Sequence, residues 1–175
     1  MLRGWIPQPR DRNKTTGLTR DKQGDKSTMP RIAIWNLFFG FVLICFAAAA
    51  GAIVANEMTN AFVDAMSGAR PSTRDWMLTL QASAHGHANL FGLLHIATGL
   101  TMPYTRQGDR TRLLVTAGLT LGSIAMGPLM IWRSMLPPSR AVDVNGMLVG
   151  ICLCMALAAL AIHAAGLWQA FARRQ

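Results

Sequence analysis

The chain has 175 residues, 51% of them hydrophobic and 14% charged, and a net charge of +9. That composition fits one membrane domain with a polar tail and excludes two water-soluble domains. The basic excess is segregated into segments that flank apolar runs, so it is read as membrane orientation and not as nucleic-acid binding.

Residues 1–31 hold eight Lys/Arg and three Asp among Gly, Pro and Thr, with no apolar period. They predict a disordered basic cytoplasmic tail. Met29 opens MPRIAIWNLFF and is an alternative start, which leaves open whether residues 1–28 belong to the mature chain. Residues 32–175 form the predicted membrane domain. Four apolar runs cover 32–55, 77–102, 113–132 and 144–168. Each reaches the roughly 20 residues that cross a bilayer. The small residues AAAAGAIVA near the end of the first run resemble a cleavage region, but the run exceeds the roughly 7–15 residues of a signal core.

Trp35, Trp76, Trp132 and Trp168 fall at predicted span ends, as an aromatic belt requires. Tyr104 after Pro103 reads as another interface anchor. With the N-terminus inside, segments 1–31, 103–112 and 169–175 carry 13 of the 17 basic residues. The expectation is an all-α, integral-membrane four-helix bundle, up-down-up-down, N-in/C-in, in the cell inner (plasma) membrane. Gly118-x-x-x-Gly122 and Gly146-x-x-x-Gly150 each permit close helix contact. Gly127-Pro128 predicts a kink late in the third span. Cys45, Cys152 and Cys154 lie inside spans and read as small apolar residues, not as a disulfide framework.

The second span contains AHGHANLFGLLHIATG, with three of the four histidines. His85 and His87 are about 200° apart on a regular helix, so they cannot chelate one ion. His87 and His95 differ by about 80° and roughly 12 Å. His85, Asn89, Gly92, Ile96 and Gly99 share one face. Glycines below an imidazole leave room for a flat group such as a porphyrin, or for a closely packed helix. His95 and His163 lie at similar predicted depth and are a second candidate pair. No Asp, Glu, Lys or Arg lies inside a span, which argues against a carboxylate proton relay.

The run Ala84-His85-x6-Gly92, with Arg110-Thr111-Arg112-Leu113-Leu114 further on, resembles the small four-helix membrane isomerases, namely the styrene oxide isomerases and hydroxylaminobenzene mutases. HGHANLFG is also similar to the H-x-H-x-N-L-x-G segment of small proteins grouped with heme–copper oxidase subunit I. What the resemblance implies is heme b with His85 as axial ligand, in a homo-oligomer. The iron is then a Lewis acid that opens a small lipophilic epoxide to a carbonyl. The cofactor face comprises His85, Asn89, Gly92 and Gly99. The chain departs from that family at Phe91, where an asparagine is expected, and at span 3, which has neither acid nor tyrosine. No catalytic residue is assigned on this basis, and enzyme activity stays open with a lean toward isomerase. Three alternatives stand beside it: bis-imidazole heme on His95 and His163 for electron transfer, copper on the soft ligands of 11 Met, four His and three Cys, and a non-catalytic accessory subunit of a membrane complex.

Overall fold

The computed structural model describes residues 29–68, 73–137 and 143–173. Of the expected tail, residues 1–31, residues 1–28 lie outside the described residues, and Arg31 already opens the first helix. Among the described residues the ordered elements are all helical. Helix α1 spans Arg31–Met66 and α2 spans Thr73–Thr101, followed by a 3-10 turn at Met102–Tyr104. Helix α3 runs Asp109–Ser134 and α4 runs Val144–Ala172.

Helices α1, α3 and α4 are long and apolar enough to cross a membrane. Helix α2 is equally long at 29 residues but does not reach that apolarity. Gln81, Ser83, His85, His87, Asn89 and His95 dilute its leucines. Of the four expected spans, three thus have the length and apolarity to cross a membrane, and the fourth, α2, is a helix of sufficient length but lower apolarity. Helix α1 also outruns its apolar stretch by several turns, to Met66. Its extension is tied to α2 by Arg74, which meets Glu57 at 2.6 Å and Asp64 at 3.4 Å. These exposed pairs position the helix ends but add little stability.

Side-chain distribution is inverted relative to a water-soluble bundle. Phe38, Phe41, Phe46, Ile53, Leu114, Ile151 and Leu157 are exposed, whereas Asn36, His95, Thr98, Thr116, Ser123 and His163 are buried. Lipid is as apolar as leucine, so burying leucine there gains little. Small residues and internal hydrogen bonds must bring the helices together.

Glycine makes the two tightest seams. On α1, a Cβ at Gly40 would lie 2.6 Å from the Gly92 carbonyl of α2. A Cβ at Gly99 would lie 2.8 Å from the Ala33 carbonyl. Contacts fall at rising numbers on α1 and falling numbers on α2, so this pair is antiparallel. The second seam joins α3 to α4, where Gly118 meets Ala159 and Met155, and Gly122 meets Ala156. Phe91 of α2 also fills the space over Gly122 and joins Val115, Leu119, Met126 and Ala156 in the apolar core.

Among the described residues, Gly118–Gly122 is the one of the two GxxxG pairs that packs against a helix. Gly150 has open space around it, and Gly146 meets only Asp143. Asp143 is the α4 N-cap, accepting from the Gly146 amide at 2.6 Å. The expected kink at Pro128 takes the form of a π-helical turn, Ala125–Leu129. Proline lacks an amide proton and crowds the carbonyl four residues back, and one wider turn relieves both problems.

Substituting Gly40 with Leu should lower stability by about 1–3 kcal/mol, because a side chain there forces α1 off α2. Gly86→Ala, at a position with open space, should leave the melting temperature within about 1–2 °C of wild type, as surface changes do. Thermal unfolding of the detergent-solubilised protein checks both.

Candidate functional site

His85 is half-buried on α2 and reaches across the first seam. Its Nδ1 lies 2.7 Å from the Ala47 carbonyl of α1. A carbonyl only accepts, so Nδ1 donates, and the neutral ring keeps its lone pair on Nε2. Gly51 makes room for the ring, since a Cβ there would collide with it. Among the described residues no hydrogen bond is made by His85 Nε2. A carbonyl holding one ring nitrogen so that the other presents its lone pair is the usual support of a ligating histidine.

The rest of the expected stripe has another use. Gly92 and Gly99 are buried against α1, with Gly92 facing Ile44 and the Gly40 carbonyl, and Gly99 facing Ala33 and Leu37. Asn89, on the same face, is half-buried. The room beneath His85 is thus taken by a helix and not left for a flat group. The expectation of a cofactor face at Gly92 and Gly99 is corrected on that ground. Small residues on α1 (Ala33 and Gly40) match the glycines of α2 and close the gap.

His87 points elsewhere, as the helical rotation requires. Its Nδ1 donates to the Ser83 carbonyl one turn back at 2.8 Å. That bond lies within α2 and holds one ring nitrogen against its own helix.

His95 is fully buried in a polar cluster that joins three helices. Asn36 of α1 donates through Nδ2 to the Ile32 carbonyl at 3.0 Å and to Thr116 Oγ1 of α3 at 2.7 Å. Its oxygen therefore faces α2 and accepts from His95 Nδ1 at 2.7 Å. His95 Nε2 meets Ser123 Oγ of α3 at 3.2 Å. Phe39 packs on the imidazole edge-on, with centroids 4.9 Å apart. Both ring nitrogens are occupied, so this histidine binds helices to one another.

His163 does not face His95. Its Nε2 lies 2.7 Å from Thr101 Oγ1, six residues further along α2, about 9 Å down the axis. The two histidines expected as a bis-imidazole pair are held apart by separate partners, and that pairing is corrected. Residue spacing alone puts the two at similar depth, but the α2–α4 stagger is set by packing. Nor is any group of three or more His, Cys, Asp or Glu suited to a metal ion found among the described residues.

Asn36 was missed by the sequence reading. Its signal was available: a lone amide in an apolar run, four residues before Gly40 and so on the same helical face.

Removing His95 leaves the Asn36 oxygen buried without a donor, which costs about 1–3 kcal/mol. His95→Ala and Asn36→Ala should each destabilise the protein. The double variant should lose less than their sum, by about 0.5–3 kcal/mol, as residues in one network do. Additive losses in a thermal double-mutant cycle would show that the two side chains act independently.

Comparison of the chain with protein-family models, with curated proteins and with solved structures finds no match.

Proposed function

We propose that the chain is a multi-pass membrane protein that carries heme b on His85 and acts on a small lipophilic substrate. The observation that carries this reading is the 2.7 Å bond from His85 Nδ1 to the Ala47 carbonyl. It fixes the ring and leaves Nε2 as a lone-pair donor on a half-buried histidine. The donor chemistry fits an axial ligand. The Gly92–Gly99 face does not fit a macrocycle, because α1 already fills it. The remaining seat therefore lies outside the α1–α2 seam, and a second copy of the chain is the partner that the family resemblance implies.

If heme is held by His85, it would supply Lewis-acid chemistry toward an epoxide oxygen, which is the chemistry the resemblance suggests. The chain's own contribution is positional. Ala47 orients the imidazole, Gly51 gives it space, and the exposed apolar faces admit a lipophilic molecule from the bilayer. Electron transfer through His95 and His163 has less support, since Asn36, Ser123 and Thr101 hold those rings apart.

The proposed arrangement in the membrane is up-down-up-down, with both termini cytoplasmic. Helix α2 is the fourth span despite its polarity. It is lined by α1 from Ala33–Gly99 to Gly51–His85, and its His95 is turned inward. The bias of Lys and Arg toward segments 1–31, 103–112 and 169–175 sets the orientation.

Protein purified in mild detergent from heme-supplied cells should show a Soret band. His85→Ala should abolish it, and His87→Ala should retain it. A folded, helical protein with no Soret band overturns the heme reading, and a band that survives His85→Ala overturns the assigned ligand. A fluorescent protein fused at the C-terminus should mature in the cytoplasm, whereas an alkaline phosphatase fusion there should be inactive.

A further inference from the structure

The two ends of the bundle treat charge differently. Where α1 leads into α2, every described arginine meets an acid: Arg74 meets Glu57 and Asp64, and Arg133 meets Asp143 at 2.8 Å. At the other end, Arg31 opens α1, Arg106 lies in the α2–α3 connection, Arg110 and Arg112 lie in the first turn of α3, and Arg173 caps α4. Contacts between the helices put these residues at one end: Ala33 against Gly99, Gln107 against Gly166, and Thr101 against His163. Among the described residues, Asp109 is the one carboxylate there, and it pairs with Arg112 at 3.4 Å. Arg31, Arg106, Arg110 and Arg173 are exposed and have no acid partner among the described residues.

The same end carries a crevice. Tyr104 of the 3-10 turn and Leu167, Ala170 and Phe171 of α4 line a hollow of about 150 Å³. That is about five times the share of liquid volume that one water takes, so it suits a glycerol unit or a few methylenes and not a folded segment. Tyr104, Trp168 and Phe171 are all exposed, and the last two rings lie 6.1 Å apart. Tryptophan and tyrosine at the end of a spanning helix sit at the headgroup level of a bilayer. The crevice therefore opens where lipid phosphate and glycerol lie. Arg106 is two residues from Tyr104, and Arg173 is two residues from Phe171. Consecutive Cα atoms are about 3.8 Å apart, so each arginine backbone lies within about 8 Å of a lining residue. Each of the two walls thus carries an unpaired arginine beside it.

We propose that this crevice binds the glycerol-phosphate region of an anionic phospholipid, with Arg106 and Arg173 directed to the phosphate. The chemistry selects that occupant. Guanidinium groups match phosphate oxygens through paired N–H bonds. The aromatic and aliphatic lining takes hydrocarbon, which a free ion or a nucleic acid does not offer. A choline lipid brings an ammonium that the arginines repel, whereas a glycerol headgroup leaves the phosphate charge uncompensated. Basic pockets at the ends of membrane helices hold anionic headgroups for these reasons. A lipid seated there ties the α2–α3 connection to the end of α4. The site rests on the membrane reading and is independent of heme.

The test is native mass spectrometry of the full chain, extracted in mild detergent and offered equal amounts of dioleoyl phosphatidylglycerol and dioleoyl phosphatidylcholine. Phosphatidylglycerol should be retained over phosphatidylcholine by about fivefold or more. Arg106→Gln and Arg173→Gln should each lower that retention about fivefold, the contribution of one basic residue at an anionic surface. Ala170→Phe, which fills the hollow, should lower it too. Arg31→Gln, on α1 and outside the crevice, should leave it unchanged. Equal retention of the two lipids overturns the proposal without any variant. A loss in Arg31→Gln as large as in Arg106→Gln, or unchanged retention in Ala170→Phe, also overturns it. Recovery of the chain from lysed cells in the aqueous fraction, without detergent, overturns the membrane reading itself.

Discussion

The close contact of α1 with α2 governs the rest of the molecule. Where Gly40 meets Gly92, backbone lies against backbone. Such proximity sets the register of the two helices to within a residue, because a shift of one position would drive a side chain into a carbonyl. Both interhelical histidine bonds depend on that register. His85 finds the Ala47 carbonyl, and His95 finds Asn36, only because Gly40 sits opposite Gly92 between them. Asn36, Gly40, Ala47 and Gly51 recur at helical spacing, so a single face of α1 serves every one of these contacts.

Two histidines on one helix thereby acquire different characters. His95 is surrounded: an amide holds one nitrogen, a hydroxyl meets the other, and Phe39 packs edge-on against the ring. Such a satisfied polar cluster binds α1, α2 and α3 to one another in a setting where apolar burial gains little. His85 has one nitrogen held and the other available. The difference lies in what each meets across the seam and not in residue type or in depth.

Helices α3 and α4 form the second tight pair, and the π-helical turn at Pro128 lets α3 continue past a residue that would otherwise end it. The wider turn lies beyond the Gly118–Gly122 contact, so the deformation leaves that seam intact. At the opposite end of the pair, the α2–α3 connection folds Gln107 onto Gly166. The glycine again supplies the space, here for a side chain and not for a backbone.

Much of this was legible in the sequence. Apolar runs of sufficient length, charge confined to their flanks and tryptophans at their ends dictate a helical membrane protein. Helical rotation alone separates His85 from His87. Spacing alone puts His85, Gly92 and Gly99 on one face. What spacing leaves undecided is what that face touches, since a glycine gap suits a cofactor and a helix equally well. Tertiary structure resolved it in favour of α1, because Ala33 and Gly40 offer a surface as small as the gap. It also separated His95 from His163, since the stagger between α2 and α4 comes from packing contacts that neither helix encodes by itself. Asn36 became important for the same reason: one amide in an apolar run acquires a role only when another helix brings a histidine within 2.7 Å of it.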